Sequence, residues 1–426
     1  MEKGKVFLKQ FIIPGLVITV LLIVALTAAR MVLPVLEEKE NEEARIIKIT
    51  AVNDKKYEIQ EEIGLEDFTV TAEFDNGKEE ELDVDAYEIS DTYVQPIGEK
   101  TEITVTLKDD SRIYCKMEVA AKREKILGFH CGYPDESKVV AVLYSNGELS
   151  FEGEGDTLQF EAGEFPWMNY EGREDYPICS VSFGERVSPG IMDNWFRDMD
   201  TLTYVSKLPS SVKSLSGTFQ DCDGLIFGAD WSSCNELLDI SSVYEDCDCL
   251  ASVPAVPASV RIADYACANC GSLQTSPDLT KAENLVSAYA MYYNCKKLTE
   301  TSIAPRVQNI SSMYERCINL QEIPELPETV TEMDSTFSGD FSLKSLPAIP
   351  PNVKDFDSCF RGCTHAGGTL VIDANPKYYS NFLDDAVSAT RLDLTGSSEM
   401  LNELGLEADN RNVTVNGEVP GKEEAH

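Results

Sequence analysis

Between Asp198 and Asp384 the apolar positions return with a period near 23 residues. The repeated phrase is an aromatic, two residues, Cys, two residues, Leu. It is read in Phe219, Cys222, Leu225; in Tyr244, Cys247, Leu250; in Tyr292, Cys295, Leu298; and in Tyr314, Cys317, Leu320. Degenerate copies start at Phe196, Cys267, Phe337, Phe360 and Phe382, and successive centres lie 23, 25, 23, 25, 22, 23, 23 and 22 residues apart. A fixed period in this range marks a solenoid, whose units stack because none buries its apolar face alone. An apolar pair leads into each aromatic, as in Val212, Leu215, Phe219 and Val330, Met333, Phe337. Spacings of three and then four put these side chains on one face of a short helix or helical turn. The residue before the Cys position is Asp, Asn or Gly in eight of nine units, Arg316 being the exception. These residues best tolerate a left-handed backbone, so a turn is predicted there. Leu320, Ile323 and Leu326, with Pro324 and Pro327, read as a short extended piece. Proline removes ladder donors and keeps such a strand short or irregular. Each unit is therefore a short parallel strand, a loop and a helical turn.

Upstream the period changes to two. Arg45–Val52, Phe68–Phe74, Thr101–Leu107 and Arg112–Val119 alternate apolar and polar residues, and Asp75-Asn76-Gly77 and Asp109-Asp110 mark turns. This is the pattern of half-buried strands in a β-sandwich, with Val70, Ala72, Phe74, Ile103, Val105 and Leu107 inward. Between sandwich and repeats, Asn146-Gly147 predicts a two-residue hairpin turn between Val139–Tyr144 and Glu148–Glu152. Pro166-Trp167 follows, and then a first strand over Ile178–Phe183. This β-rich stretch reads as a cap on the open end of the solenoid core.

At the amino end, Phe11–Ala29 is 19 residues without a charge, with Lys3, Lys5 and Lys9 before it and Arg30 after it. That length predicts a transmembrane helix, and the lysines place the amino terminus inside the cell. A cleaved signal peptide is the competing reading, with Thr27-Ala28-Ala29 as a weak cleavage site. The expected order is a cytoplasmic tip and anchor over 1–40, a sandwich over 41–122, the cap over 123–177, the solenoid over 178–405 and a polar tail over 406–426. The expected placement is a single-pass protein of the cell membrane with its carboxyl-terminal ectodomain outside.

The repeat resembles the BspA-like leucine-rich repeats of bacterial surface proteins, which run Leu, Ile, Pro, Val, then aromatic, Cys and Leu over a similar length. This chain departs by carrying two prolines per unit and Met333-Asp334 where an Ile-Gly pair is usual. The stretch Ile46–Val119 resembles bacterial Ig-like domains through Tyr57-Glu58-Ile59, Phe68-Thr69-Val70 and Asp75-Asn76-Gly77. The Cys, Trp, Cys core of antibody domains is absent; only Cys115 is present. The resemblance implies adhesion, with an extracellular protein or glycan as partner and the Ig-like domain as a stalk. The alternative is a structural spacer or envelope-assembly component without a soluble ligand.

Charge narrows the partners. The formal net charge is −38, whereas nucleic-acid binding needs a basic face. The carboxylates keep the chain solvated and dispersed, consistent with a monomer. No calcium-loop spacing assigns them a metal.

Chemistry is sparse. Of thirteen cysteines, Cys222, Cys247, Cys270, Cys295, Cys317 and Cys363 fill one repeat position that Met199 and Asp340 also occupy. A position open to Met or Asp needs no bonding partner, so these read as small stacked thiols. Cys267-Ala-Asn-Cys270 has metal or redox spacing, but Cys267 falls on the aromatic position and no second pair follows. His130 beside Cys131 and His365 near Cys363 have no orienting third group. The acids Asp221, Asp223, Asp246 and Asp248 recur at one place in the repeat and read as turn residues. No catalytic residue, cofactor or metal ligand is assigned, and the chain is not expected to be an enzyme. Partner contact falls to polar positions between the core residues, such as Lys296, Lys297, Gln321, Glu322, Glu325 and Glu328.

Overall fold

The computed structural model describes residues 18–20, 45–57, 62–90, 100–121, 123–387, 390–408, 410 and 412–420. They fall into two compact units, one built from the first 125 residues with Tyr144–Glu148, the other from Ile126–Leu143 and Leu149 onward.

In the first unit, alternation of apolar and polar residues gives two sheets around one core. One sheet orders Ile18–Val20, Ile46–Val52, Thr69–Phe74 and Glu79–Glu81 side by side; the other orders Lys56–Tyr57, Tyr114–Ala121, Lys100–Leu107 and Tyr87–Ile89. Ile49, Val70 and Ala72 from the first sheet meet Ile103, Val105 and Val119 from the second, all fully buried. Phe74 is only partly buried at the core edge. Tyr57 and Tyr87 are buried as well, and the Tyr87 hydroxyl donates to the Leu65 carbonyl at 2.9 Å.

The expected transmembrane helix over Phe11–Ala29 is overturned. Ile18–Val20 form a strand antiparallel to Ile49–Ala51. No helix among the described residues is long and apolar enough to cross a membrane. The single-pass membrane placement and the tether through such a helix fall with it. Residues 11–17 and 21–29 lie outside the described ones.

The second unit begins with a five-stranded sheet ordered Tyr204–Val205, Ser180–Phe183, Glu148–Gly153, Val139–Tyr144 and Lys125–His130. Leu143 faces Leu149 across the hairpin, so its loop has three residues, Ser145 to Gly147, not two. Gly147 takes φ +77°, the left-handed residue that a three-residue loop requires. Phe151, Trp167, Trp195 and Phe196 pack with ring centroids 5.1 to 6.4 Å apart and open the solenoid core.

From there rung follows rung, and one core cluster runs from Cys131 to Val413. Every repeat aromatic is buried. The rings of Phe196, Phe219 and Tyr244 stack face to face 5.6 Å apart, and those of Tyr292, Tyr314, Phe337 and Phe360 stack 5.5 to 5.7 Å apart. Cys267 interrupts the stack, because a thiol takes the ring position there.

The segments read as helical turns are runs of β-turns. Each carries two left-handed residues four apart, such as Gly217 and Asp221, Ser242 and Asp246, or Ser335 and Gly339. Alternate N–H groups leave the rung: Leu215, Gly217, Phe219 and Asp221 donate to Asp239, Ser241, Val243 and Glu245 of the next. The N–H groups between them close turns within the rung, as Thr218 to Leu215 and Gln220 to Gly217. A backbone that alternates hand in this way satisfies its polar groups with no helix. The proline-rich pieces form no continuous strands; adjacent rungs meet there through isolated parallel bridges such as Phe227 with Ser252 and Thr275 with Glu300. Regular parallel strands return at the carboxyl end, in Gly368–Val371, Leu392–Thr395 and Val413–Val415.

The last repeat is read one residue early from sequence. Its left-handed residues are Asn381 and Asp385, 23 residues after Ser358 and Gly362. Leu383 thus takes the aromatic slot and Ala386 the Cys slot, both buried. Phe382 instead packs edge-on against Phe356 at 5.4 Å. One rung later the helix Leu401–Glu407 replaces the turn run, with Leu404 buried.

Candidate binding groove on the solenoid

The six repeat cysteines hold one geometry. Each Sγ donates to the carbonyl of the preceding rung's aromatic position: Cys222 to Phe196 and Cys247 to Phe219 at 3.0 Å, Cys317 to Tyr292 at 3.1 Å, Cys363 to Phe337 at 3.2 Å. All thirteen cysteines are free, and only Cys249 is exposed. Burial pushes the Cys222 thiol up to about 12 and raises Cys295 and Cys317 well above the ordinary thiol range. Such thiols are inert toward nucleophilic or redox chemistry. Asp340 fills the same slot, fully buried, with neither carboxyl oxygen hydrogen-bonded. Burial drives its pKa well above the carboxylate range.

The histidines do not meet the thiols. His365 Nδ1 lies 2.8 Å from the Phe341 carbonyl, whereas the Cys363 thiol points to Phe337. His130 is exposed on its strand and Cys131 is buried. His426 lies outside the described residues. Among the described residues no group of His, Cys, Asp and Glu is placed to hold a metal ion.

Two surface columns follow from the turn geometry. The second left-handed residue of each rung and the residue two further on project beside each other up the stack. In the first three rungs these positions are Asp198 and Asp200, Asp221 and Asp223, Asp246 and Asp248. They are turn residues, as expected, and they also make an acidic ridge. Burial and then the carboxylates of Asp246 and Asp198 raise the Asp221 pKa. The Asn269 amide donates to Asp246 at 2.7 Å and the Asn294 amide to Asn269 at 2.9 Å, which carries the column forward without further charge.

Beyond Asn294 the chemistry reverses. Lys296 stands beside Asn294, and the columns continue as Arg316 beside Ile318, Gly339 beside Phe341 and Gly362 beside Thr364. Two glycines in succession remove the side-chain layer and open a groove of about 540 Å³. Lys296, Arg316 and Arg361 line it, with Phe341 48% exposed on its wall. Lys296 and Arg316 pair with no carboxylate among the described residues; Arg361 lies 3.7 Å from Asp384. Glu315 is tied back by the Ser312 hydroxyl at 3.0 Å, and Asp385 closes the far end.

All six positions expected to contact a partner are exposed, but only Lys296 lines this groove; Lys297, Gln321, Glu322, Glu325 and Glu328 do not. Sequence reading missed Arg316, Phe341 and Arg361. The available signal was the change along one repeat position, from Asp through Asn to Arg and Gly.

Comparison with known proteins agrees with this build. A bacterial Ig-like domain (group 3) matches residues 50–115. A BspA type leucine rich repeat region, in six copies, matches residues 285–369. No curated protein matches the chain. Among solved structures the chain is similar to a leucine-rich repeat protein from Bacteroides ovatus, at 14% identity and TM-score 0.24, over 68% of this chain and 98% of that one. It is also similar to a leucine rich cell surface protein from Faecalibacterium prausnitzii, at 17% identity and TM-score 0.20, over 59% and 96%. With scores this low, the architecture rests on the two family matches and on the stacked rungs themselves. Both families are generally non-enzymatic binding domains. The chain is a bacterial Ig-like domain joined to a BspA-type leucine-rich-repeat solenoid.

Proposed function

We propose that this chain is a protein-binding module whose solenoid recognises its partner, in an adhesion role at a bacterial surface. The carrying observation is the reversal of chemistry along the turn columns, from six aspartates to a glycine-floored groove with unpaired cations. Core packing explains the aromatics, the thiols and the left-handed turns. It does not explain two exposed arginines, a lysine and a half-exposed Phe341 gathered over missing side chains. A solenoid supplies a long rigid face on which such positions vary while the rungs persist. Catalysis has no counterpart observation: the thiols donate to backbone carbonyls and His365 sits on a carbonyl. The domain division serves this reading, with the Ig-like unit as spacer and the repeats as recognition surface. The test is a pull-down with the immobilised chain from bacterial and host-cell surface extracts, read by mass spectrometry. Recovery of a saturable protein partner supports the reading; recovery of none across both sources removes it.

A further inference from the structure

We infer that the groove between Arg316 and Asp385 takes an extended acidic peptide segment of the partner, with a carboxylate on Arg316 and an apolar side chain against Phe341. This deepens the protein-binding reading and rests on it.

Size comes first. Rungs bridged as parallel strands lie about 4.8 Å apart, so the three steps from Arg316 to Asp385 span about 14 Å. An extended chain advances about 3.3 Å per residue, so about four residues fill that length. The floor is open because Gly339 and Gly362 hold left-handed backbones at φ +82° and +72° with no side chain. A Cβ at Gly339 would meet nothing closer than the Arg316 Cγ at 3.5 Å, so the space belongs to the groove and not to packing.

Charge sets the class. The molecule carries a net charge of −38, yet here Lys296 and Arg316 have no carboxylate partner among the described residues, while Arg361 faces Asp384 at 3.7 Å and Glu315 is held by Ser312. Unpaired cations in an acidic molecule repel other cations and select carboxylates. Arg316 and Arg361 lie two rungs, about 10 Å, apart, within reach of acidic residues flanking one apolar residue. Asn294 and Ser338 are the neutral hydrogen-bonding side chains of the lining, too few to fix the hydroxyl pattern of a sugar.

The test uses the full chain and a fluorescein-labelled peptide that alternates Glu and Asp with Leu, followed by anisotropy. A peptide with Gln and Asn in place of the acids, and polygalacturonate, serve as the other probes. Arg316→Glu should weaken the acidic peptide at least about tenfold. The exposed Arg261→Glu, which changes net charge equally on another column, should leave it unchanged. The pair Gly339→Asn and Gly362→Asn fills the groove with the residue that Asn269 and Asn294 already place at this left-handed position, so the rungs fold while binding is lost. Added salt should weaken binding steeply. Equal binding of the neutral peptide, or unchanged affinity in R316E and the asparagine pair, overturns the groove. Polygalacturonate binding with the same variant pattern overturns the peptide assignment. A pulled-down protein still captured by R316E would sink this inference alone, whereas an empty pull-down would sink the broader reading.

Discussion

Asp340 shows what one repeat position demands. Its six Cys counterparts each offer one S–H to a carbonyl, and a carboxylate offers none. With both oxygens buried and unpartnered, burial favours the protonated carboxyl, so folding is linked to proton uptake. The pKa is raised in the fold, so the stability linked to Asp340 is complete below the ordinary carboxylate pKa and is lost as pH rises toward the folded value. The loss is about 1.4 kcal/mol per pH unit across that window. Urea unfolding from pH 5 upward should show this slope. Asp340→Cys should flatten it and raise stability at neutral pH by about 1–3 kcal/mol. An unchanged slope in the variant would assign it to other groups. The thiols give a second residue-scale expectation. A thiol reagent added to the native chain should modify Cys249 quickly and the buried repeat cysteines only on unfolding, because burial both hides them and keeps them protonated. Fast reaction of several thiols in the native state would contradict the stacked arrangement.

At the scale of the element, the turn run is where sequence and structure part. The period, the buried aromatics, the prolines that break the strands and the left-handed residue before each Cys were all legible, because each leaves a residue type at a fixed offset. The first left-handed residue was not, because its column holds Asn194, Gly217, Ser242, Tyr265, Ala290 and Ser312, and Tyr or Ala carries no turn signal. There the inter-rung hydrogen bonds impose the conformation against local preference. A spacing of three and four fits a helix and also a turn run of alternating hand, so periodicity alone could not separate them. The last repeat slipped by one because Phe382 is the aromatic nearest the repeat spacing, whereas the ladder placed Leu383 in the slot. The groove was hidden for a similar reason: Gly339 and Gly362 satisfied the turn rule, and their second effect, a missing surface layer, shows only when rungs are stacked. Arg316 holds φ +63° without a compensating short side chain. Arg316→Gly should therefore stabilise the chain by about 1 kcal/mol while weakening acidic-peptide binding, though less than Arg316→Glu does. Chemical denaturation and anisotropy on one sample separate the two effects, and a variant that loses stability would show that the Arg side chain packs more than it strains.

For the whole molecule, the decisive fact is that the apolar residues form two clusters with no member in common, one around Ile103 and Val105 and the other running through every rung. Units with their own cores unfold by their own transitions. In the solenoid each rung is held by its neighbours, so damage to one rung spreads along the stack and stops at the edge of that core. Phe337 tests this, since its ring lies 5.7 Å from Tyr314 and 5.5 Å from Phe360 in nearly parallel planes. Phe337→Ala leaves a ring-sized void and breaks both stacking contacts, which should cost about 3–5 kcal/mol. Calorimetry should show two transitions in the native chain. The variant should shift the larger, which carries the repeats, and leave the smaller in place. A single transition, or equal displacement of both, would mean that the two cores are thermodynamically one. A shift of the larger transition alone would establish the repeats as a self-contained stack, able to exchange surface residues such as Arg316 and Gly339 while the Ig-like core stays unperturbed.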